Sequence, residues 1–169
     1  RDSMLGMSLK PMRKYHNRVK TAIYGLLANE GVTTITDVGA GRGGDLSKYR
    51  DGRFSIIAIE PDITNIEGRG GFIERASTMD TIIDRHNGEW DIVGDGWSVN
   101  LFNVKAQDYM PEQETDALTL FNVATFLGPT TMDHLTSNAI RDDGYMVIMA
   151  IDGRRLLSRF LDGRSQYDS

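Results

Sequence analysis

A glycine-rich stretch at residues 33–49, TTITDVGAGRGGDLSKY, constrains the fold more than any other part of the chain. Ile35 and Val38 indicate a short buried strand before the glycines. A helix is predicted to begin after them, near Gly44 or Asp45. The glycines let the backbone turn sharply and approach a ligand without an intervening Cβ atom. Because the first N–H groups of the helix would face the same ligand, the stretch predicts a strand, a ligand-binding turn and a helix.

Two acidic residues indicate which ligand the turn binds. Gly39, Gly41 and Gly44 match Gly-x-Gly-x-x-Gly, the spacing of dinucleotide-binding turns. Asp37 stands where dinucleotide sites usually carry an apolar residue, and its carboxylate can accept hydrogen bonds from the cationic end of a ligand. Glu60 follows the next apolar run, at the distance expected for a carboxylate that binds a ribose diol. The pattern favours S-adenosylmethionine over NAD, and a purely structural turn remains the other alternative.

Composition restricts the class of protein. A length of 169 residues with 40% hydrophobic content fits one globular domain. The sequence has no cysteine, no visible signal peptide and no apolar run near the roughly 18 residues of a membrane span, so we expect a cytoplasmic or nuclear protein without a membrane partner. The three histidines lack metal-ligand spacing, which predicts no metal site. Because the sequence begins at Arg1, we expect residues 1–169 to be a single domain that is a fragment, a processed product or a domain of a longer polypeptide.

The charge distribution leaves one segment open to two interpretations. A net charge of −5 argues against a broad surface that follows a phosphate backbone. Residues 3–29 nevertheless contain no acid. Their basic residues are Lys10, Arg13, Lys14, Arg18 and Lys20. The segment is either a solvated helix face or a local anion site.

Strands and helices are predicted to alternate along the chain, which indicates an open α/β sheet with right-handed crossovers. The predicted strands are 34–38, 55–59, 100–104 or 105, 117–121 and 145–151. Helices are predicted at about 72–85 and 154–161, and 87–97 is interpreted as an irregular insertion. Because the last strand is apolar throughout, we expect it to be covered on both faces and paired on both edges. Ligands of such sheets bind at the carboxyl ends of the strands.

Several motifs together resemble the messenger-RNA cap guanine-N7 methyltransferases. The first pair is MRKYHNRVKTAIY and TDVGAGRGGDLSKY, similar to that family's Asn- and Lys-containing helix and its Asp-x-Gly-x-Gly-x-Gly-Gly-Asp-Leu turn. The stretch IIAIEPDITNIEGRG looks like the acidic motif of the second strand, particularly as in the poxvirus capping enzyme. The stretch DDGYMVIMAIDGRRLLSRF looks like the fifth strand and the loop after it. The resemblance covers residues 11–160 in the right order.

The resemblance implies a fold, an activity and partners. The fold would be the Rossmann-like class I S-adenosylmethionine-dependent methyltransferase fold, with an open, mostly parallel sheet. The activity would be methyl transfer from S-adenosylmethionine to guanine N7 of the messenger-RNA cap, in a protein of viral type. Capped RNA would be the substrate, and another capping-enzyme domain or a regulatory subunit would be a further partner.

The resemblance also implies roles for individual residues. Those implied to bind the cofactor are Lys20, Asp37, Gly39, Ala40, Gly41, Glu60, Gln107 or Asp108, and Phe121. Those implied to lie near the substrate are Arg13, Asn17, Phe126 and Asp152. Lys20 would reach the methionine carboxylate, Asp37 and the turn the methionine end, and Glu60 the ribose hydroxyls. Gln107 or Asp108 would meet the adenine amine, and Asn17 and Phe126 would lie beside the reaction centre. Each polar residue also has an alternative as an ordinary helix or loop residue.

Residues 121–126, FNVATF, depart from the family pattern. The family has a Gln after the fourth strand and a His-Tyr pair further on, whereas here Phe126 alone is left to stack on guanine. The sequence also stops soon after the fifth strand. We therefore expect the C-terminal strands of the sheet to be missing, and the chain to need a longer parent or a partner for cap methylation.

The chemistry leaves several functions open. Guanine N7 has a lone pair and no proton, so its methylation requires alignment rather than a general base. Ribose 2′-O-methylation is disfavoured because it commonly uses lysines, and the last lysine is Lys105. The alternatives are a methyltransferase with another acceptor, an NAD-binding domain that Asp37 opposes, and a non-catalytic binding module. The altered 121–126 segment favours the last of these.

Overall fold

The computed structural model describes residues 2–121, 127–149, 155–161 and 164–168, with side chains for 13–121 and 127–149. The helices are α1 (Asp2–Asn29), α2 (Leu46–Asp51), α3 (Ile63–Glu67), α4 (Phe72–Ser77) and α5 (Pro129–Asn138). The strands are β1 (Thr34–Val38), β2 (Ser55–Ile59), β3 (Ile82–His86), β4 (Glu89–Gly94), β5 (Trp97–Phe102), β6 (Thr115–Phe121), β7 (Ile140–Met149), β8 (Arg155–Leu161) and β9 (Arg164–Asp168). A short 3-10 turn spans Ala106–Asp108.

The described strands form one sheet in the order β3-β4-β5-β2-β1-β6-β7-β8-β9. The central run from β5 to β7 is parallel, and antiparallel pairs extend the sheet at both edges. The predicted open α/β sheet is therefore confirmed. Strand order reverses direction at β1, which has β2 on one side and β6 on the other, so the carboxyl end of β1 is the switch point where such sheets bind ligands.

Apolar side chains cover both faces of the central strands. Ile35 and Ile56 belong to a core cluster with residues of α1 and α2, whereas Val38 and Leu118 belong to a second cluster with residues of α5. Neighbouring residues of a strand point to opposite faces, so continuous apolar runs build both clusters at once. None of the helices in the described part of the chain is long and apolar enough to span a lipid bilayer.

The prediction that the C-terminal strands are missing is wrong. Strand β8 pairs antiparallel with β7, with Met146 opposite Ser158, and β9 pairs with β8. Strand β8 occupies most of the segment predicted as a helix at 154–161. The physical reason is tertiary pairing, because the open edge of an apolar strand stabilises a neighbouring strand more than local sequence preference stabilises a helix. The expectation that the fifth predicted strand is paired on both edges is confirmed through residue 149.

The interpretation of residues 87–97 as an irregular insertion is also wrong. Helix α4 ends at Ser77, and β3 and β4 then form an antiparallel hairpin at one edge of the sheet. Asn87 and Gly88 connect the two strands, with φ angles of 47° and 76°. An Asn-Gly pair with positive φ at both positions is the preferred two-residue hairpin turn, so this dipeptide was the signal for the hairpin. The predicted third strand begins earlier, at Trp97.

Candidate functional site

A cavity of about 340 Å³ opens beside the turn that follows β1. The residues that line it are Lys20, Asp37, Gly39, Ala40, Gly41, Arg42, Gly44, Asp45, Arg75 and Phe121. The structure thus brings together, around one space, the basic residue of α1, the acid of β1, the glycine turn and the aromatic residue at the end of β6. These residues were predicted as cofactor ligands, and their binding role stays a prediction.

Glycine occupies the positions of the turn for different physical reasons. Gly39 and Gly41 adopt φ angles of 76° and 65°, which side chains disfavour. The N–H groups of Gly39 and Ala40 donate to the carbonyl oxygen of Ile59 at 2.8 and 3.1 Å, and these bonds join the turn to β2. A Cβ atom at Gly41 would meet no heavy atom within 4 Å, whereas one at Gly43 would lie 2.8 Å from Leu46 Cδ1. Gly43 therefore serves packing, and Gly41 borders open space.

Asp37 is a buried carboxyl group on the wall of the cavity. The hydroxyl of Tyr49 donates to its Oδ2, and the hydroxyl of Thr119 donates to its Oδ1 at 3.0 Å. Burial, and then the neighbouring Asp45 carboxylate, raise the pKa of Asp37 from 3.8 to about 7, against the opposing effects of both hydrogen bonds and of Lys20. A cation that enters the cavity would therefore favour the ionised form of Asp37.

Three charged residues form a cluster beside Asp37, on the side of α1 and α2. Asp45 lies between two lysines, 3.3 Å from Lys20 Nζ and 3.4 Å from Lys48 Nζ. The Lys20 ammonium also sits over the ring of Phe121, 5.2 Å from its centroid, which is a cation–π geometry. Lys20 is thus already paired, although it was predicted to bind the carboxylate of a ligand.

Two arginines at the cavity were missed by sequence reasoning. Arg42 Nε donates to Asn65 Oδ1 at 3.3 Å, and Arg75 Nε donates to the carbonyl oxygen of Gly70 at 3.0 Å. Each guanidinium carries five N–H donors and uses one of them in these contacts. An anionic group in the cavity could therefore be met by Arg42 or Arg75 in addition to Lys20. Arg42 stands inside the glycine turn, and its position there was the available signal.

The Glu60 carboxylate holds the glycine turn in place through hydrogen bonds. Its side chain is buried and accepts hydrogen bonds from Gly41 N at 2.9 Å, Asp62 N at 2.9 Å and Asn65 Nδ2 at 3.2 Å. The carboxylate that was predicted to bind ribose hydroxyls is therefore also a structural acceptor for two loops. Its contact with a ribose stays a prediction.

Replacing Glu60 by alanine is expected to lower the free energy of unfolding by about 3 kcal/mol, because three donors lose a charged acceptor. Glu67→Ala is the matched control, since Glu67 makes a half-exposed ion pair with Arg85 and its loss should cost less than about 1 kcal/mol. Urea denaturation followed by fluorescence measures both changes. Equal, small losses of stability in the two variants would contradict the structural role of Glu60.

The adenine residues implied by the resemblance lie on the 3-10 turn after β5, where Gln107 and Asp108 are both exposed. Asn103 connects this region to the end of β2, because its Nδ2 donates to the carbonyl oxygens of Glu60 and Pro61, both at 3.0 Å. Asn103 was predicted to lie inside a strand. The structure places it just after β5, where a side-chain amide can join two loops.

Of the four predicted substrate residues, two lie within the described part of the chain. Asn17 Oδ1 accepts from Lys48 Nζ at 2.6 Å and lines an adjoining groove between α1 and α2 rather than the cavity at the turn. Arg13 is exposed on α1. Phe126 and Asp152 lie outside the described residues. The roles of these four residues stay predictions.

Comparison with solved structures identifies the fold. The N-methyltransferase NodS of Bradyrhizobium japonicum, in complex with S-adenosyl-L-homocysteine, aligns with a TM-score of 0.53 at 12% identity over 79% of this chain and 61% of its own. The O-methyltransferase of a trans-AT polyketide synthase of Brevibacillus brevis, with the same ligand, aligns with a TM-score of 0.57 at 12% identity. The alignment covers 88% of this chain and 47% of that enzyme. The plantazolicin methyltransferase BpumL, with this ligand and a desmethyl analogue, aligns with a TM-score of 0.56 at 11% identity. The alignment covers 89% of this chain and 51% of that enzyme.

These similarities define the class of fold. The chain has the Rossmann-like fold of class I S-adenosylmethionine-dependent methyltransferases, as predicted. No family model matches the sequence, and no curated protein does. The chain spans between about half and three fifths of the length of the three enzymes named above.

Proposed function

We propose that the chain binds S-adenosylmethionine in the cavity at the glycine turn and transfers its methyl group. One observation carries this proposal: a buried carboxyl group, Asp37, and the open face of Gly41 border the same space at the switch point of the sheet. The fold is that of enzymes solved with S-adenosylhomocysteine. Cofactor binding and methyl transfer are therefore the function that fold and site support together.

The residues at the cavity fit the charges of this cofactor. Its methionine moiety carries an ammonium and a carboxylate. Asp37 offers a buried acceptor for the ammonium, and Arg42, Arg75 and Lys20 offer donors for the carboxylate. Gly41 leaves room for the ligand beside the backbone. Glu60, which holds Gly41 in place, lies next to the position proposed for the ribose.

The cofactor would supply an electrophilic methyl group on a sulfonium sulfur. The chain's own part is positioning. Asp37 holds the cationic end, because Tyr49 and Thr119 fix its two oxygens by hydrogen bonds. The turn, tied to β2 through Ile59, sets the depth of binding. Phe121, whose ring lies under the Lys20 ammonium, forms an apolar wall that excludes water from the reacting atoms.

For the acceptor we propose guanine N7 of capped RNA, on the strength of the sequence motifs around Asp37 and Glu60. Guanine N7 needs no deprotonation, so the reaction asks only for alignment of acceptor, methyl group and sulfur. Exposed Arg13, Lys14 and Arg18 on α1 offer cations for the cap phosphates. Another capping-enzyme domain or a regulatory subunit is the proposed partner.

Transfer of tritiated methyl groups from S-adenosylmethionine tests the acceptor. In the presence of the proposed partner domain or subunit, we expect label on GpppA-capped RNA and none on uncapped RNA of the same sequence. RNA whose cap is already methylated at N7 is the sharper control, because only the reacting atom is blocked. Label on uncapped RNA or on the blocked cap would contradict guanine N7 as the acceptor. Calorimetric binding of S-adenosylhomocysteine without label on any RNA would favour another acceptor or a non-catalytic binding module.

A further inference from the structure

A second cavity, of about 280 Å³, lies on the other face of the sheet. Ile57 lines it and stands opposite Thr36 in register, so it points away from the face that carries Asp37. The rest of the wall comes from β4, β5 and the loop after the 3-10 turn. The cavity shares no lining residue with the one at the glycine turn. It is therefore a separate binding space.

An aromatic pair forms a fixed wall of this second cavity. The rings of Phe102 and Tyr109 pack with centroids 5.5 Å apart, tilted by 55°. His134 of α5 makes a hydrogen bond to the carbonyl oxygen of Tyr109 at 2.6 Å. Because the backbone of Tyr109 is tied to α5 and its ring is packed, the wall is preformed and presents aromatic surface to an entering group.

The second cavity is rich in acceptors. Glu89 and Glu112 both line it, and the residues that line it include no lysine, arginine or histidine. Tyr109 is only 4% exposed, and within the described part of the chain its hydroxyl has no hydrogen-bond partner. Burial, and then repulsion by Glu112 and Glu89, raise the pKa of Tyr109 to about 12, which puts its hydroxyl in the field of both carboxylates. A hydroxyl on the wall of a cavity, beside two carboxylates, suits a hydrogen-bond donor that carries positive charge.

We propose that this second cavity binds the guanidinium group of an arginine side chain presented by a polypeptide partner. A guanidinium is planar, stacks on aromatic rings and donates several hydrogen bonds in a fixed fork, which matches Tyr109, Glu89 and Glu112. Met110, 77% exposed at the rim, would contact the aliphatic stem. The volume admits one side chain, and the two carboxylates repel nucleic-acid phosphates. The occupant is thus a basic residue of a protein rather than RNA.

Titration of the isotope-labelled chain by NMR tests this site with short peptides. The probe is acetyl-Gly-Arg-Gly-amide, and its control has citrulline, which keeps the shape and loses the charge. We expect saturable shifts at the amides of Tyr109, Met110 and Glu112. The citrulline peptide should bind about tenfold more weakly, since two charge-assisted contacts are lost.

Charge-neutralising variants make the test specific. Glu112→Gln and Glu89→Gln should each weaken binding of the arginine peptide about threefold, an effect kept small by their partial exposure. Glu114→Gln is the matched control, because Glu114 is an exposed acid of the same loop that does not line the cavity. Equal effects of all three variants would overturn the site in favour of diffuse attraction. Equal binding of the arginine and citrulline peptides would overturn recognition of charge.

A free guanidinium compound distinguishes the source of the ligand. n-Propylguanidine carries the same group and the same single positive charge on an aliphatic stem without peptide bonds. Tighter binding of the peptide than of n-propylguanidine supports a polypeptide partner. Tighter binding of n-propylguanidine would overturn that assignment and leave a small-molecule site.

Discussion

Replacement of Gly41 by valine is expected to weaken binding of S-adenosylhomocysteine by at least about 100-fold. A Cβ atom at this position meets no heavy atom of the chain within 4 Å, because it projects into the open space that borders the turn. The valine methyl groups would occupy volume that the proposed cofactor needs. Isothermal calorimetry with S-adenosylhomocysteine measures the loss.

The control for Gly41→Val must separate blockage of the cavity from backbone strain. Gly41 has a φ angle of 65°, a conformation that valine disfavours, so the variant also loses stability. Gly31, with φ of 84° and equally open surroundings, lies after α1 and away from the cavity. Gly31→Val should lose comparable stability and keep its affinity. Equal affinity of the Gly41 variant and the native chain would show that the ligand does not lie against this turn.

The strand, turn and helix unit was predictable because its determinants are local. Positive φ angles at Gly39 and Gly41 require glycine, and glycine is visible in the sequence. Asp37 and Glu60 stand at the ends of apolar runs, and parallel strands bring such ends to one edge of a sheet. The positions of Asp37, the glycine turn and Glu60 therefore follow from strand order and spacing, whereas Arg42 and Arg75 at the same cavity did not.

The edges of the sheet were not predictable in the same way. Strand β8 pairs with β7, so its conformation depends on an open edge that local periodicity does not contain. The β3–β4 hairpin did carry a local signal, Asn87-Gly88, but the segment of β3 was interpreted as the end of a helix and that of β4 as an irregular insertion. For β3 and β8 the error was one of period, because short amphipathic segments fit a helix or a strand equally well.

The environment of Asp37 was predictable only in part. Its acidity and position follow from the sequence, whereas its partners come from elsewhere in the fold. Tyr49 lies on the helix after the turn, and Thr119 lies on β6, 82 residues further along the chain. Hydrogen bonds across such separations depend on strand order. The raised pKa of Asp37 follows from its burial, which the spacing of residues in the sequence does not predict.

Replacement of Asp37 by asparagine is the second change with a large expected effect, and it should act on binding and stability in opposite directions. Asparagine keeps the shape of the side chain. Tyr49 and Thr119 can still pair with it, because a hydroxyl can either donate or accept. The negative charge is lost. Affinity for S-adenosylhomocysteine should fall by roughly 100-fold or more, as for removal of one partner from a buried charge pair.

The stability of the same variant should depend on pH with a defined sign. The pKa of Asp37 rises from 3.8 to about 7 on folding, so between these values the folded chain holds a proton that the unfolded chain has released. The contribution of Asp37 to the free energy of unfolding therefore declines as pH rises from about 4 to about 7, and it stays low above that. Asparagine has no such titration. Asp37→Asn should melt at a higher temperature than the native chain at pH 8, with a smaller difference at pH 5.

The two effects together separate a ligand-binding carboxyl group from a structural one. If Asp37 served only the fold, its removal would not raise stability at alkaline pH, because a buried charge kept for structure is stabilised by its partners. A carboxyl group that is destabilising without ligand and needed for binding is instead compensated by a cation that arrives with the ligand. Thermal unfolding at pH 5 and pH 8, with and without S-adenosylhomocysteine, measures both effects in one experiment. A variant that is less stable than the native chain at pH 8, or that retains ligand-induced stabilisation, would contradict the assignment of Asp37 to the cationic end of the cofactor.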